Sequence, residues 1–355
     1  MKALVLAGGS GTRLRPFTHT LAKPLVPVAN KPVLFHCLES IRDTGVREVG
    51  IIVSPQGEEI RRAVGDGSRF GLRVTWIPQD APLGLAHCVL IAADFLAGDD
   101  FVMYLGDNIV VGGIGHLVKQ FAAERPAALL MVGPVADPRE YGVAEVGAGG
   151  RVHGLAEKPQ LPVSDLALIG VYVFSAAIHS AVRAIRPSAR GELEITDAVE
   201  LLIRRGEDVR AHVFAGYWKD TGRVDDLLEC NRELLASIPP ARLGSVDEAS
   251  ELIGAVFVDD GARVVRSRVE GPAVIGPAST VTDSRIGPGT SIGAGCVLAR
   301  AGIAGSIVLD GASVSDVRDL HRSVIGRNAR VRALPPQDGA RRLLLGDSSE
   351  VVIER

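Results

Sequence analysis

Short apolar runs alternate with amphipathic segments over the first two thirds of the chain. The run KALVLA (2–7) ends in glycines and predicts a buried strand. Residues 31–44 are predicted as a helix, because Asn30 suits its N-cap and Gly45 its C-terminal stop. Further strands are predicted at 49–53, 73–77, 101–105, 168–174 and 209–214, a hairpin at 142–157, and helices at 58–64, 84–95, 195–204 and 224–236. This alternation predicts an α/β fold with a Rossmann-like, mainly parallel sheet.

The pattern changes after Pro239-Pro240, which predicts a linker. Beyond it, aliphatic residues recur at steps of six, six, five, six and six positions, often followed by glycine. These residues are Val269, Ile275, Val281, Ile286, Ile292 and Leu298. Such hexads are typical of a parallel β-helix, and a disordered glycine-rich tail would not keep its aliphatic positions so regular. The sequence therefore predicts two domains, 1–240 and 241–355.

Composition narrows the class of protein. The chain has 355 residues, 46% of them hydrophobic, and a net charge of −3 from 39 basic and 42 acidic side chains. These values exclude a disordered chain and argue against a broad basic surface for nucleic acid. The first apolar run is too short for a signal peptide, and no run approaches the roughly 18 residues of a membrane span. We expect a cytoplasmic protein that binds neither nucleic acid nor membranes.

The four cysteines support a reducing compartment. They are far apart in the sequence and form no CxxC pair: Cys37, Cys88, Cys230 and Cys296. This spacing fits neither a disulfide framework nor a zinc site, so we expect buried free thiols.

The strongest chemical signal is the glycine-rich loop that follows the first strand, LAGGSGTRL (6–14). Its glycines let the backbone approach a phosphate, and its successive N–H groups can form an anion-binding nest. The loop lacks the GK[ST] of a P-loop, and Leu14 stands where a dinucleotide fingerprint needs glycine. Arg13 and Lys23 add two cations that suit a triphosphate and its leaving pyrophosphate.

Two aspartates are candidate metal ligands. Asp107 directly follows the predicted strand 101–105, at the carboxyl end where open α/β sheets bind ligands. Asp220 lies in WKDTG (218–222), just before a predicted helix. Taken alone, Asp107 could be an ordinary turn residue, and Asp220 a turn residue or a helix cap.

Taken together, these motifs resemble the sugar-1-phosphate nucleotidylyltransferases, and in particular the long-form glucose-1-phosphate thymidylyltransferases. The resemblance spans residues 1 to about 236, and the hexads fit the long form. Pro24 departs from the glutamine expected in many thymidylyltransferases. The motifs are GGSGTRLRPFTHTLAKPLVPVANKPV (8–33), PLGLAH (82–87), YLGDN (104–108), EYGVAE (140–145), EKP (157–159), GELEITDA (191–198) and YWKDTGR (217–223).

The resemblance implies Mg²⁺-dependent transfer of a thymidylyl group from dTTP to glucose 1-phosphate by direct in-line attack. It implies Arg13, Lys23 and Lys158 as catalytic residues and Asp107 and Asp220 as the metal ligands. The nucleotide would be bound by Leu6, Gly8, Gly9, Ser10, Gly11, Thr12, Gln79 and Gly84. The sugar phosphate would be bound by Tyr141, Gly142, Glu157, Lys158 and Val171.

Family analogy further implies a left-handed β-helix over 241–355 that serves assembly or regulation, and a homo-oligomer such as a trimer. Three alternatives stay open. The same fold could use UTP or another nucleotide or sugar phosphate. A relative without turnover could bind nucleotide sugars as a regulator, although such a protein would be expected to lose a metal carboxylate or the Arg13/Lys23 pair. A hexad acyltransferase would need a catalytic histidine, for which only His321 is available in that domain.

Overall fold

The computed structural model describes residues 1–9, 11–55 and 57–333, and the chain divides into two units. The first unit comprises residues 1–10, 22–25 and 33–220. The second comprises residues 11–21, 26–32 and those from 221 onward, so the helical segment before Pro239 groups with the hexads. The predicted boundary between residues 240 and 241 stays a prediction.

Within its described residues, the first unit contains a nine-stranded mixed sheet and a separate two-stranded ribbon. The strands are β1 (Lys2–Leu6), β2 (Glu48–Val53), β3 (Arg73–Pro78), β4 (Phe101–Leu105), β5 (Asn108–Val110), β6 (Ala128–Pro134), β7 (Gly142–Val146), β8 (Val152–Glu157), β9 (Leu166–Phe174), β10 (Val209–Val213) and β11 (Trp218–Asp220). The α-helices are α1 (Val33–Asp43), α2 (Glu58–Val64), α3 (Leu85–Ile91), α4 (Ala93–Leu96), α5 (Gly115–Glu124), α6 (Ile178–Val182) and α7 (Ile195–Arg204), with α8 (Val224–Leu235) in the second unit. Short 3₁₀ turns lie at Thr12–Leu14, Phe17–His19, Lys23–Leu25, Ser68–Phe70, Pro138–Glu140 and Ala148–Gly150.

The strand order places the ends of β1 and β4 side by side. The main path runs β8-β7-β9-β4-β1-β2-β3, and β6 pairs with β9 and β10. Strands β4, β1, β2 and β3 are parallel, whereas β9 joins β4 antiparallel. The α/β class is confirmed. The carboxyl ends of β1 and β4 lie at one edge, where open parallel sheets bind ligands.

Most predicted elements of this unit are present close to their expected bounds. The predicted helix 84–95 is two helices, α3 and α4, separated at Ala92. The prediction missed α5, α6 and β6, and it missed the ribbon formed by β5 and β11. In the part of the chain that the structure describes, no helix is both long enough and apolar enough to cross a membrane. The four cysteines are buried and free, as predicted.

The second unit is a parallel β-helix, which confirms the prediction from the hexads. Over described residues 241–332, its strands stack in three parallel sheets. The first sheet contains Ala241–Arg242, Val256–Val258, Ala273–Ile275, Thr290–Ile292, Ile307–Val308 and Val324–Ile325. The second contains Ser245–Val246, Arg263–Val265, Thr280–Thr282, Val297–Ala299, Ser313–Ser315 and Arg330–Arg332. The third contains Glu251–Ile253, Arg268–Glu270, Arg285–Ile286, Gly302–Ala304 and Leu320–His321.

Each coil of the β-helix uses three of the predicted hexad positions, one per sheet. Val269 lies in register with Ile286, Ile275 with Ile292, and Val281 with Leu298. The six predicted aliphatic side chains are fully buried in one cluster. Gly276 is required by close packing between coils, since a Cβ there would lie 2.6 Å from the Gly293 carbonyl oxygen. The handedness of the coil stays an expectation from the family.

One of the short N-terminal segments of the second unit, residues 26–32, is hydrogen bonded to α8 and the β-helix. The backbone N–H of Ala29 donates to Asn231 Oδ1 (2.8 Å), and Asn30 Nδ2 donates to the Ile292 carbonyl (2.6 Å). Asn231 is fully buried and also donates to the Gly289 carbonyl (2.9 Å). Buried amides with several partners of this kind stabilise one arrangement of the chain.

Candidate active site

A cavity of about 210 Å³ opens at the carboxyl ends of β1 and β4. Six of the residues predicted to bind nucleotide or metal line it: Leu6, Gly8, Gly9, Gln79, Gly84 and Asp107. The other lining residues are Ile52, Pro82, Leu85, Cys88, Leu105 and Glu192. The strand order brings these residues together, because the loops after β1, β3 and β4 leave the sheet at the same edge. Burial raises the pKa of the Cys88 thiol to about 12, so this thiol stays neutral.

The glycine-rich loop after β1 is divided between the two units. Gly8 and Gly9 line the cavity of the first unit. Gly11, Thr12 and Arg13 belong to the second unit, where Gly11 has a left-handed backbone (φ 61°) before the turn Thr12–Leu14. Arg13 is exposed in that unit. The predicted ligand Ser10 lies outside the described residues.

Gly84 must be glycine for two local reasons. Its φ of 99° is unfavourable for other residues, and a Cβ there would lie 2.7 Å from the Leu193 backbone nitrogen. Leu193 is held at this place by hydrogen bonds with Leu83 and Ala86. The segment around Gly84 therefore packs directly on the loop that precedes α7, and the predicted role of Gly84 beside a base stays a prediction.

A buried lysine joins the two predicted metal ligands. Lys23 is only 8% exposed, and its Nζ lies 2.6 Å from Asp107 Oδ2 and 3.1 Å from Asp220 Oδ1. Burial disfavours the ammonium ion, but the charges and hydrogen bonds of the two aspartates outweigh it and raise the pKa of Lys23. Lys23 is therefore a cation at neutral pH, held by both carboxylates.

The short ribbon explains why Asp107 and Asp220 meet, although they are far apart in the sequence. Strand β11 pairs antiparallel with β5, which sets Asp220 opposite Asn108, the neighbour of Asp107. The buried side-chain amide of Asn108 donates to the Ile169 carbonyl and ties the ribbon to β9. The carboxylates are thus positioned by backbone pairing rather than by a flexible loop.

The chemistry of these carboxylates fits a hard divalent cation. Their oxygens converge on a single cation, the Lys23 ammonium. Mg²⁺ is commonly held by one or two carboxylates, with substrate phosphates and water as its remaining ligands. Among residues 1–9, 11–55 and 57–333, no group of three or more His, Cys, Asp or Glu side chains forms a fuller protein cage. The pair therefore suits a metal that is shared with a phosphorylated substrate.

A second charged cluster surrounds Glu157 at the end of β8. Arg190 donates to Glu157 (3.2 Å) and to Glu192 (3.0 Å), and its Nε lies 3.6 Å from Glu194 Oε1. The Lys158 ammonium lies 4.0 Å from Glu157 Oε1. Burial raises the pKa of Glu194, and the nearby Glu157 charge adds to this effect.

The predicted sugar-phosphate residues lie around the same cluster. A Cβ on Gly142 would crowd Leu168, Thr196 and Glu157, so glycine is needed beside this carboxylate. The Tyr141 ring contacts Trp218 edge-on at 5.8 Å, and the Tyr141 carbonyl accepts a hydrogen bond from the Lys158 N–H (3.0 Å). Val171 is buried on β9, opposite Tyr104 of β4. Their roles in binding sugar stay predictions.

Two residues beside the predicted ligands were missed. Arg190 directly precedes the motif GELEITDA (191–198) and hydrogen bonds to Glu157. His87 was not among the predicted site residues, yet its Nδ1 lies 3.1 Å from Gln79 Nε2. The signal for His87 was its place in PLGLAH, at the start of the helix that follows Gly84.

Comparisons with known proteins agree with this geometry. A family model described as nucleotidyl transferase matches residues 2–237. A glucose-1-phosphate thymidylyltransferase of Streptomyces griseus is 59% identical over 353 residues, which cover 99% of each chain. One of Streptomyces antibioticus is 55% identical over the full length of both chains.

The fold has a solved relative as well. A crystal structure at 2.76 Å of a Bacillus anthracis protein, assigned as a glucose-1-phosphate thymidylyltransferase and bound to sucrose, superposes with a TM-score of 0.63. It is 32% identical in sequence, and the match covers 68% of this chain and 98% of that one. The two Streptomyces relatives, by contrast, match the β-helix as well as the sheet unit.

Proposed function

Because the chain belongs to the nucleotidyl transferase family, we propose that it transfers a thymidylyl group from dTTP to α-D-glucose 1-phosphate, giving dTDP-glucose and pyrophosphate. The observation that carries this proposal is the cluster of Lys23, Asp107 and Asp220 beside a cavity lined by the glycine loop and Gln79. Both parts lie where an α/β sheet binds its ligands.

The reaction needs alignment and charge stabilisation more than proton transfer. The phosphate of a sugar 1-phosphate is largely ionised at neutral pH, because its second pKa is about 6. One of its oxygens attacks the α-phosphorus of dTTP in line with the departing pyrophosphate, so no general base is required. The protein has to hold two anions together and stabilise the charge that develops on the leaving group.

Three cationic side chains would each bind a different phosphate group of the substrates. Lys23, beside Asp107 and Asp220, would face the triphosphate near the α-phosphorus. Arg13, in the glycine loop, would bind the β- and γ-phosphates that leave as pyrophosphate. Lys158 would hold the attacking phosphate, while Glu157, positioned by Arg190 and by Thr196 (3.2 Å), would bind sugar hydroxyls.

Asp107 and Asp220 would hold Mg²⁺, which when bound neutralises phosphate charge and orients the triphosphate. Leu6, Gly8, Gly9, Ser10, Gly11 and Thr12 would surround the nucleotide, with Gln79 and Gly84 beside the base. Tyr141, Gly142 and Val171 would complete the sugar pocket. The proposed in-line step itself uses oxygens of the two substrates only.

UTP is the second candidate donor. Thymine and uracil share the same Watson–Crick edge, and a pocket not built to exclude a 2′-hydroxyl discriminates weakly against it. The presence of Lys23, Asp107, Asp220 and Lys158 together argues against a regulator that binds nucleotide sugars without turnover. His321, the candidate for acyl transfer, lies exposed on the third sheet of the β-helix.

For its setting, we propose a cytoplasmic homo-oligomer, with the β-helix serving assembly. Buried free thiols suit a reducing compartment. The β-helix exposes two large apolar residues, Leu243 and Val297, which an interface between subunits could cover. Light scattering tests the oligomer, because a monomer in solution would contradict it.

A donor panel tests the proposed reaction. The purified protein is given glucose 1-phosphate, Mg²⁺ and dTTP, UTP, CTP, GTP or ATP in turn, and pyrophosphate release is measured. We expect dTTP to be used best and UTP second. Faster turnover with ATP or GTP would contradict the assignment, and omission of glucose 1-phosphate is the control for plain hydrolysis.

A further inference from the structure

The amide of Gln79 is held from one side by a histidine. Gln79 follows β3, is only 9% exposed and lines the cavity. Its Nε2 lies 3.1 Å from His87 Nδ1 on α3, while its Oε1 lies 3.5 Å from where a Cβ on Gly8 would be. Gln79 is one of the described residues that line the cavity, whereas His87 is not.

The tautomer of His87 in this contact decides which edge of the amide faces the cavity. In the orientation present here the amide nitrogen donates, so Nδ1 accepts and the neutral ring carries its proton on Nε2, whereas the Nδ1–H tautomer would donate to Oε1 of the turned-over amide. The Cys88 thiol, next to His87 on α3, also hydrogen bonds with the Gln79 side chain. With one N–H of Gln79 turned toward α3, the edge left for a ligand carries the Oε1 acceptor and the second N–H donor. If the amide turned over, the positions of acceptor and donor would be exchanged.

The two orientations suit different pyrimidines. Thymine and uracil offer an N3–H donor beside the O4 acceptor, which matches Oε1 and the remaining N–H. Cytosine offers an N3 acceptor beside the N4 amino donor, which matches the exchanged arrangement. A glutamine that is free to turn over would therefore discriminate poorly between the two kinds of base.

We propose that His87 is a positioning residue that fixes the amide of Gln79 and thereby makes the cavity select thymine or uracil over cytosine. The inference rests on the proposed function, since it takes the base of dTTP to lie beside Gln79. It assigns to His87 a role in specificity that acts only through Gln79.

The test compares kcat/KM for dTTP and CTP in His87→Leu, His87→Asn and wild-type protein. His87→Leu removes the acceptor and should reduce the preference for dTTP over CTP by about tenfold, the effect of one lost hydrogen bond. His87→Asn keeps an acceptor near the place of Nδ1 and should retain most of the preference. His153→Leu, on an exposed histidine of β8, is the matched control.

A double-mutant cycle keeps the test informative if His87→Leu alters packing. In a Gln79→Leu background, adding His87→Leu should leave the dTTP to CTP ratio unchanged. An unchanged ratio in His87→Leu alone, or a changed one in the Gln79→Leu background, would overturn the role of His87. A wild-type protein without any preference for dTTP over CTP would instead overturn the proposed base site.

A separate observation concerns the order in which metal and nucleotide bind. The Lys23 ammonium lies between Asp107 and Asp220, at 2.6 Å and 3.1 Å from their oxygens. The ammonium and the two carboxylates together carry a net charge of −1, which attracts a dication only weakly. A dication held by the same two carboxylates would also face the ammonium at close range and be repelled by it.

We infer that Lys23 blocks the carboxylate pair against free Mg²⁺, so that the metal enters together with the phosphates of the nucleotide. This inference also rests on the proposed function, which supplies the metal. The phosphates add the negative charge that the protein site lacks and give Lys23 a new partner. The free protein therefore binds divalent ions weakly at Asp107 and Asp220.

The test is Mn²⁺ binding by electron paramagnetic resonance without nucleotide. Lys23→Met should bind Mn²⁺ at least about tenfold more tightly than wild type, because it removes one cation from the site. Lys23→Arg should show no gain. Lys2→Met is the matched control. The Lys2 ammonium pairs with Asp99 Oδ2 at 3.0 Å, and neither residue lines the cavity.

Equal or weaker binding by a folded Lys23→Met, or by Lys23→Gln if the first variant is unstable, would overturn the inference. A gain that persists when Asp107→Asn is added would overturn it as well, because the ion would then be bound elsewhere. If the wild-type protein does not change the signal of the Mn²⁺–dTTP complex relative to dTTP and Mn²⁺ alone, the proposed metal site itself is contradicted.

Discussion

The two units of the protein treat charged side chains in opposite ways. In the sheet unit, a buried lysine bridges two carboxylates, and Arg190 bridges three more beside it. In the β-helix, ion pairs such as Arg266 with Asp283 (2.7 Å) lie on the exposed corners. Buried hydroxyls of the β-helix, such as those of Ser279 and Ser284, accept hydrogen bonds from backbone N–H groups of the next coil.

The β-helix shows what a purely structural use of charge looks like. Its corner residues alternate in sign from coil to coil, as Arg266, Asp283, Arg300 and Asp316, and they pair with each other. Such exposed pairs add little to stability, because solvent screens them. The stability of this unit comes from its column of aliphatic side chains.

Burying a charge is costly, so buried charges outside a structural network mark candidate sites. The Lys23 cluster meets this criterion, and it opens on a cavity. The comparison therefore supports the proposed chemistry at the Lys23 cluster of the sheet unit, and it assigns a structural role to the charges of the β-helix. Four changes can break or sharpen this assignment.

The largest effect should come from Asp107→Asn or Asp220→Asn. Each removes one charge from the proposed metal site while keeping the shape of the side chain, so turnover should fall by about 100-fold or more. Pyrophosphate release across a range of Mg²⁺ concentrations measures it. Asp99→Asn, on the surface partner of Lys2, is the control and should keep wild-type rates. If Asp107→Asn or Asp220→Asn kept near wild-type rates at low Mg²⁺, the proposed metal role of that aspartate would be wrong.

Ile292→Ala should have the largest effect on stability. Ile292 is fully buried in the β-helix, and its truncation leaves a cavity that costs about 2–5 kcal/mol. Urea unfolding measures this loss. Turnover per folded molecule should stay close to that of wild type, and a loss as deep as that of Asp107→Asn would show that the β-helix takes part in the chemistry.

Ser284→Ala should weaken the β-helix by a smaller amount. The Ser284 hydroxyl accepts from the Ala301 N–H (3.0 Å) and donates to the Thr282 carbonyl (2.7 Å). Its removal leaves the buried Ala301 N–H without this partner, at a cost of about 1–3 kcal/mol, whereas the Thr282 carbonyl still accepts from the Arg300 N–H (3.0 Å). The exposed Arg300→Ala is the comparison, and we expect no measurable change in its free energy of unfolding. Equal losses in both variants would contradict the division between buried and exposed polar groups.

The smallest effect concerns acid stability of the sheet unit. The rings of His116 and His212 lie 4.5 Å apart, and burial lowers the pKa of both, with the neighbouring ring adding to the effect at His212. A lowered folded-state pKa means that the unfolded chain binds protons first, so stability is complete above about pH 6.5 and falls as the pH drops through the folded-state pKa.

We therefore expect His212→Gln to lose less stability than wild type between about pH 7 and pH 5. Thermal unfolding at several pH values measures this difference. His153→Gln, on an exposed histidine, should follow wild type. A parallel acid loss in His212→Gln and wild type would contradict the role of this pair.

Much of the fold was predictable because its patterns are local. The hexads predicted the β-helix, since each coil repeats the same short-range constraint at a fixed spacing. Strand β6 could have been found from its apolar run ALLMV, whereas α5 follows Gly112 and Gly113 and has a less distinct start. The ribbon of β5 and β11 could not be found, because strands of three residues carry no periodic signal.

The same distinction between local sequence patterns and tertiary contacts applies to the candidate site. Motifs identified Lys23, Asp107 and Asp220, but their meeting depends on the pairing of β5 with β11 across the chain. The same holds for His87 and Arg190, whose partners Gln79 and Glu157 are set by tertiary packing. A sequence can indicate which residue types the chemistry needs, whereas the contacts that orient them come from the fold.

The most direct test of the account is ³¹P nuclear magnetic resonance of dTTP and glucose 1-phosphate with Mg²⁺ and purified protein, in wild type and in Asp107→Asn. The account predicts that wild type forms dTDP-glucose, a nucleoside diphosphate sugar, and pyrophosphate in equal amounts. It predicts that Asp107→Asn forms neither product at a comparable rate. Loss of phosphate from dTTP without consumption of glucose 1-phosphate, or equal conversion by both proteins, would contradict it.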